Sequence, residues 1–481
     1  MAIIDFFDRG CRISPAGTAY VQDDLRYTFQ EAGELSWRTA NASLADGFAK
    51  ETNGAVWAGN DVTAWICTLG LWRPNLAWIP VDAHKIAESN REILDDFDCE
   101  VVLLQVALAP LIAQLRAGLP KGVMNTHRSV QTFVAHVMLT FPYGVDENPV
   151  KLAPAPMTHT AGALTLPATA QGGTVVVVTS PEPDLMLEQI AKRRVTGFFR
   201  PPTVIYRLLG VPGIEQVAFS SLKCLLYGAA PMSVEKLKKA IAVFGPVMAG
   251  ACGQTETPAS IAYLPPAEHF EVGELGSEER LSSAGRPGPL IRVEIMNDDS
   301  QVLRTGETGE ICLRGDLVMK GYYKAPELTA QAIVNGWLYT GDIGHLDADG
   351  YLYITDREKD MIISGGLYVY PSEVEQVIWS HPKVQDCGII GVPDAGWGEA
   401  VKAVVELNPS ETVTPRCSSP CARTRSATSV HRTWSTSSRP GRVARSARCS
   451  KRAFGTATGP RRQGRAGLRT ASSPAGGLTD D

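Results

Sequence analysis

Apolar and polar positions along this chain follow two periods, and the switches between them mark its elements. Thr28 stands three residues before Glu31, ahead of a helix-spaced pattern that runs toward Phe48, which is the arrangement of a capping box. Between 61 and 119 the period changes repeatedly. The pattern predicts a helix near Val62–Trp72, a strand at Ala77–Val81, a helix near Glu88–Phe97 and a strand at Glu100–Leu104. It resumes with a buried-strand run at Thr174–Val178, a helix pattern at Leu185–Arg194 and a strand at Val195–Phe199 closed by Pro201-Pro202-Thr203. A further strand, around Leu225–Tyr227, ends in the small residues Gly228-Ala229-Ala230. Strands alternating with helices in this way form parallel sheets covered by helices. Glycine-punctuated short strands then follow at 285–288, 308–315 and 321–323, and β-rich runs at Gly350–Thr355 and Met361–Ser364. A helix pattern at Val374–Trp379 and strands at Val384–Val392 and Ala400–Leu407 close the patterned region.

Length and composition narrow the class. A chain of 481 residues exceeds one ordinary core, so two or three domains are expected. Its 44% hydrophobic and 20% charged residues are those of a soluble globular protein. A net charge of −5 gives no general drive toward nucleic acid or an anionic membrane. Ten cysteines without C-x-x-C pairs suggest neither a zinc site nor a disulfide framework, and reduced thiols fit a cytoplasmic location. The first residues, MAIIDFFDRG, do not read as a signal peptide. The most apolar run, Val101–Ile112, contains Gln105 and Pro110 and falls short of the ~20 residues that a membrane span needs. From 410 onward Ser, Arg, Thr, Ala, Gly and Pro dominate and no hydrophobic period survives. The expectation for 410–481 is a disordered basic tail, read out of frame.

The chemistry-bearing stretch is Trp337–Glu375. Asp342 and Arg357 flank a strand and its turns. A carboxylate there accepts hydrogen bonds from a ribose diol, and a guanidinium grips phosphate or ribose oxygens. Three blocks in this stretch, Tyr339-Thr340-Gly341-Asp342, Asp356-Arg357-Glu358-Lys359-Asp360, and Gly365-Gly366 followed by Pro371-Ser372-Glu373-Val374-Glu375, resemble signatures of the adenylate-forming (AMP-binding) superfamily, in its acyl-CoA synthetase branch. The resemblance covers most of residues 1–409.

What the resemblance implies is an α/β protein. It would have a large N-terminal domain (1–356) of helix-flanked, mainly parallel sheets plus a small β-barrel. A joint at Arg357 would lead into a truncated, mobile α+β C-terminal domain (357–409). The implied reaction is ATP-dependent activation of a fatty or aromatic carboxylic acid to acyl-AMP, followed by thioester formation with coenzyme A. Loading of a carrier protein, or AMP binding without turnover, are the alternatives. The implied nucleotide site contains Gly228, Ala229, Ala230, Gly253, Gln254, Thr255, Asp342 and Arg357. Lys359 is the implied hinge residue, and Gly365 and Gly366 lie toward the thiol channel. Thr255 and Glu256 belong to a G-x-T-E block in which the Thr contacts phosphate and the Glu holds Mg²⁺. On their residue types alone, they also fit the first turn of a helix. His159, in Pro156-Met157-Thr158-His159, with Phe198 and Ala230, is implied at the acid substrate. A homo-oligomer is compatible with all of this; a nucleic-acid partner and a membrane span are not expected.

Three departures stand out. Pro120-Lys121-Gly122-Val123 and Thr126-His127-Arg128-Ser129 resemble the second half of the family's phosphate loop, but Leu115-Arg116-Ala117-Gly118-Leu119 stands where a Ser/Thr/Gly-rich front half is expected. An internal deletion near 119–120 accounts for this, and leaves Lys121 as the loop's remaining catalytic candidate. Cys252 replaces the aromatic that precedes the glycine of the G-x-T-E block. The C-terminal catalytic lysine is absent: Thr456-Ala457-Thr458-Gly459 is followed by Pro460.

Overall fold

The computed structural model describes residues 1–411 apart from 49, 84–86, 106–121, 142–146, 155, 159, 181, 358–359, 365–366, 395–396 and 409–410, together with the backbone of Thr433–Ser435. Several helix starts are set by side-chain caps. Thr28 Oγ1 accepts the Glu31 N–H at 3.1 Å while Glu31 accepts the Thr28 N–H at 2.8 Å, opening the helix Phe29–Ala45. Asp61 accepts the Ala64 N–H at 2.9 Å and starts Val62–Trp72, a helix whose residues are mostly buried. Thr126 and Ser129 form a second capping box at the head of His127–Thr140.

The body is a nine-stranded sheet. Its central six strands run parallel, in the order Met248–Gln254, Cys224–Gly228, Gly197–Arg200, Val150–Ala153, Thr174–Val177 and Thr18–Gln22. Antiparallel strands close both edges. A second, three-stranded parallel sheet centres on Asn53–Trp57, between Ala77–Pro80 and Val101–Leu104. The expected α/β architecture with mainly parallel sheets is therefore present. Helices cover both faces of the large sheet, so its strands carry apolar residues on both sides.

Asn60 binds the two sheets together. Its Nδ2 donates to the carbonyls of Ala153 (3.1 Å) and Val178 (2.8 Å), and its Oδ1 accepts the Met157 N–H at 3.1 Å. Next to it, Gln22 Oε1 accepts the Val62 N–H at 2.7 Å. These bonds fix the carboxyl ends of two sheet strands against the helix Val62–Trp72.

The region expected to be a small β-barrel is an open antiparallel sheet. Arg292–Met296 pairs with Gly309–Arg314, which pairs with the long strand Trp337–Leu346; Ile333–Val334 and Leu352–Arg357 share the far edge of that strand. No pairing among the described residues closes it. The segment after 360 forms another antiparallel sheet, whose longest strands are Val384–Asp394 and Gly398–Leu407, with the helix Pro371–Trp379 packed against it. Within the segment expected to be a tail, Thr433–Ser435 pairs in parallel with Lys402–Val404. Among the described residues, that edge of Gly398–Leu407 is otherwise paired at Gly398, with Ser364.

Asn60→Ala removes three buried hydrogen bonds at once, and leaving such groups unpaired costs about 1–3 kcal/mol apiece. We expect a loss of about 2–4 kcal/mol in urea-unfolding stability, against about 0.5 kcal/mol or less for the exposed control Asn41→Ala.

Candidate functional site

The site is built on the carboxyl ends of the central strands, where open parallel sheets place their ligands. At the end of Cys224–Gly228 the neighbouring strand comes very close: a Cβ on Gly228 would lie 2.3 Å from the Ala251 carbonyl oxygen. Only glycine permits that approach. Ala229 then takes a left-handed φ of +66° and turns the chain outward, leaving Ala229 and Ala230 exposed. Met248–Gln254 runs into a tight turn at Thr255-Glu256 and returns antiparallel as Thr257–Leu264, with Gln254 facing Thr257. The G-x-T-E block is thus a hairpin tip and not a helix start.

Several remote segments are stitched to that tip. Asn125 Nδ2 donates to the Thr255 carbonyl at 3.1 Å, and the Met319 N–H donates to the Glu256 carbonyl at 2.8 Å. The Tyr322 hydroxyl donates to Glu256 Oε1 at 3.0 Å; burial first, and then the Glu256 charge, push that phenol up to about 12. Val123–Met124 pairs antiparallel with Gly321–Tyr322, and the Tyr323 N–H reaches the Gly122 carbonyl at 2.8 Å. The chain immediately after Lys121 therefore lies against Thr255 and Glu256. Lys121 itself lies outside the described residues.

Asp342 and Arg357 are direct cross-strand partners, with Arg357 Nε 3.3 Å from Asp342 Oδ1. Asp342 is presented by a bend with its own supports. Thr340 Oγ1 donates to the Ile311 carbonyl at 2.7 Å, and the N–H of Gly341, at φ +73°, donates to Glu310 Oε1 at 2.9 Å. The Asp342 side chain is 17% exposed and that of Arg357 is 57% exposed. Burial holds the Asp342 carboxyl above the ordinary range, the Arg357 charge pulls it back, and Asp356 and Glu256 push it further up. The partly buried Cys252 thiol, pushed up to about 12 mainly by desolvation, also feels Asp342 and Arg357. Strand end, hairpin tip and charge pair thus face one locality.

Asp356, beside this pair, anchors the following segment. One of its oxygens accepts the Arg357 N–H at 2.8 Å and the other the Ser372 N–H at 3.2 Å, while the Ser372 hydroxyl bonds the Thr355 carbonyl. Gln376 Nε2 donates to the Met232 carbonyl at 3.2 Å, tying the helix Pro371–Trp379 to the loop that follows Ala229-Ala230.

The structure brings together Gly228, Ala229, Ala230, Gly253, Gln254, Thr255, Glu256, Asp342 and Arg357. His159, Lys359, Gly365 and Gly366 lie outside the described residues. Phe198 requires a correction as a substrate contact. It is 0% exposed, within a core cluster that includes Leu152, Met186 and Leu225. Phe199, one residue on, points to the opposite face, 3.8 Å from where a Gly228 Cβ would stand. Tyr322 was read only as part of a glycine-punctuated strand and Asn125 was not singled out; both act across long separations.

A divalent cation is compatible with these groups. No cluster of three or more His, Cys, Asp or Glu is present among the described residues, so the protein offers Glu256, which shares one oxygen with Tyr322. Mg²⁺ suits such a place, because it is commonly held by one or two carboxylates together with substrate phosphates.

Residues 117–323 match the AMP-binding enzyme family, and residues 373–424 match the AMP-binding enzyme C-terminal domain. The second match runs beyond the boundary at 409 expected from composition. Among curated proteins, the medium/long-chain-fatty-acid–CoA ligase FadD8 of Mycobacterium tuberculosis is 38% identical over 290 residues, 60% of this chain; the match spans only about half (49%) of that protein. Feruloyl-CoA synthase of an Amycolatopsis species is 36% identical over 438 residues, covering 82% of this chain and 87% of that one. Among solved structures, the amide bond synthetase McbA from Marinactinospora thermotolerans superposes with a TM-score of 0.79 at 26% identity, over 86% of this chain and 91% of that one. The o-succinylbenzoate CoA synthetase MenE from Bacillus subtilis, in complex with its acyl-adenylate intermediate, gives 0.74 at 25% identity, over 85% and 89%. With the hairpin tip, the small-residue loop and the Asp342–Arg357 pair in one place, and with this coverage of a relative at 36% identity, the chain belongs to the AMP-binding enzyme family.

Proposed function

We propose that this chain is an acid–CoA ligase that activates a carboxylic acid with ATP to acyl-AMP and passes the acyl group to coenzyme A. The observation that carries the reading is the Asp342–Arg357 pair beside Glu256 and the Gly228-Ala229-Ala230 loop. Asp342 accepts the ribose diol, Arg357 holds ribose or phosphate oxygens, and the exposed alanines give the flat face on which a purine lies. Thr255 hydrogen-bonds phosphate. Mg²⁺ at Glu256 would neutralise charge on the phosphates as the carboxylate approaches. Fatty and aromatic acids are the proposed substrates; the names of FadD8 and feruloyl-CoA synthase support that class.

Adenylation in this chain is slowed. Leu115–Leu119 offers Gly118 alone in place of a Ser/Thr/Gly-rich phosphate loop, and Pro460 follows Gly459 where the lysine is expected. Loss of a single preorganised donor costs about 10²–10³ in rate. The same two observations favour a second reading, AMP binding without turnover. Carboxylate-dependent ATP–pyrophosphate exchange separates the two. We expect exchange with a medium-chain fatty acid or ferulic acid at a rate at least about 10²-fold below that of an intact relative assayed alongside. Exchange at the relative's own rate overturns the slowed step, and AMP binding with no exchange establishes the second reading.

Asp342→Ala should weaken AMP binding by about 10- to 100-fold in calorimetry, the scale of hydrogen bonds to a charged group. The folded state holds the Asp342 carboxyl above its unfolded value. Its ionisation therefore costs stability as pH rises through that raised value, and the cost vanishes below the ordinary carboxylate range. Asp342→Asn should accordingly raise the denaturation midpoint at neutral pH, leave it unchanged in acid below that range, and still weaken AMP binding.

A further inference from the structure

Glu256 stands half-buried at the tip of its hairpin, with Thr255 exposed beside it and the ladder resuming at Gln254 and Thr257. The backbone of this tip is already held by Asn125 and by the Met319 N–H. The glutamate side chain is a separate matter. Its torsions are free until something fixes them, and fixing them at the moment of ligand binding is an entropic cost. The Tyr322 hydroxyl fixes them beforehand, by donating to Oε1 at 3.0 Å.

The segment that carries this tyrosine is itself closely held. The Lys320 N–H donates to the Met124 carbonyl at 2.9 Å, the Tyr322 N–H to Thr329 Oγ1 at 2.9 Å and the Tyr323 N–H to the Gly122 carbonyl at 2.8 Å. Gly321, at φ +148°, passes Thr329 where a Cβ would lie 2.7 Å from its Cγ2. The Tyr322 ring packs against the main hydrophobic core. Its neighbour Tyr323 reaches elsewhere and donates to Asp98 at 2.9 Å. The hydroxyl at Glu256 is therefore delivered by the protein and needs no ligand to bring it there.

We propose that Tyr322 is a positioning residue for Glu256: it holds Oε1, sets the plane of the carboxylate and leaves Oε2 for a Mg²⁺ ion bound with the nucleotide's phosphates. The inference rests on Glu256 as that cation's ligand and adds the residue that orients it. Mg²⁺ demands near-ideal geometry, so a carboxylate already turned by a charge-assisted hydrogen bond has less freedom to lose. Hydrogen-bond partners behind a metal ligand commonly carry about 10- to 100-fold in metal affinity. Because the same segment pairs with Val123–Met124, the chain that follows Lys121 and the Glu256 carboxylate share one support. A simple brace of the hairpin would be felt in all nucleotide binding, whereas a positioning residue is felt where the cation takes part.

The test is calorimetric titration of the full chain with ATP, in Mg²⁺ and in EDTA, and with AMP in EDTA, with no carboxylic acid present. It compares wild type with Tyr322→Phe, which keeps the ring, with Glu256→Gln, with the double variant and with Tyr323→Phe. We expect Mg²⁺ to tighten ATP binding in wild type by at least about tenfold, and Tyr322→Phe and Glu256→Gln each to lose most of that gain. The double variant should lose no more than Glu256→Gln alone, as two residues acting through one carboxylate require. Tyr323→Phe should keep the gain, and AMP binding in EDTA should stay within about twofold of wild type throughout, as for changes outside the groups that AMP meets. In the unaltered chain, the Tyr322 resonance in a ¹³Cζ-tyrosine spectrum should move when Mg²⁺ joins ATP while that of Tyr323 stays, which keeps the test decisive where Tyr322→Phe fails to fold. A gain retained in Tyr322→Phe, an additive loss in the double variant, an equal loss in Tyr323→Phe, a parallel loss of AMP binding, or a Tyr322 resonance that Mg²⁺ leaves in place overturns the proposal. AMP binding with no Mg²⁺ gain in wild type overturns the proposal alone; no nucleotide binding at all overturns the adenylation reading with it.

Discussion

A carboxylate that is only 17% exposed must be compensated, and in this chain the compensation comes from one guanidinium on the adjacent strand. The Asp342–Arg357 pairing depends on strand register, and that register contains a bulge. Ile343 faces Asp356 while Gly344 faces Ile354, so Thr355 is left out of the ladder. The bulge lets Asp342 and Arg357 stand level, and it frees the Thr355 carbonyl for the Ser372 hydroxyl. A single extra residue in one strand thus serves both the charge pair and the attachment of the segment that follows. Arg357 remains more than half exposed, so the pair can open toward a ligand without a buried cation being stranded.

Much of this architecture was legible in the sequence, for reasons that can be named. The helix near Val62–Trp72 was legible because most of its residues are apolar over a helical length, and the structure adds Asp61 as the cap of its start. The Thr28–Glu31 box declared itself in the same way. Asp342 and Arg357 were legible because they sit in dense local motifs on strands joined by a short turn. The failures share a cause, since each needed information from across the fold. Phe198 and Phe199 are both apolar, and in a strand covered on both faces neither the period nor the residue type says which one meets the core. Thr255-Glu256, read as part of a G-x-T-E block, left a helix start open as the alternative until its antiparallel return strand was known.

The unread contacts are the longest-range ones. Tyr322 reaches Glu256 from 66 positions away, and Asn125 reaches Thr255 from 130. Nothing local distinguishes that tyrosine from Tyr323, whose hydroxyl instead donates to Asp98 at 2.9 Å. Lys151 was passed over because a single lysine at a strand start reads as surface, and only the register beside Gly197 reveals its burial. The pairing of Thr433–Ser435 escaped composition for a similar reason: three residues suffice to pair part of a sheet edge, whatever the character of the sequence around them.

Asp356 divides its two oxygens between the end of one strand and the start of the next helix, and so acts as a two-point latch. One oxygen stays with the Arg357 amide whatever the helix does. The other can be released, along with the Ser372 hydroxyl and the Gln376 amide, at a cost of three individually weak, partly solvated contacts. Each of these three is a contact that water can take up in exchange, so this part of the attachment is held by individually replaceable bonds.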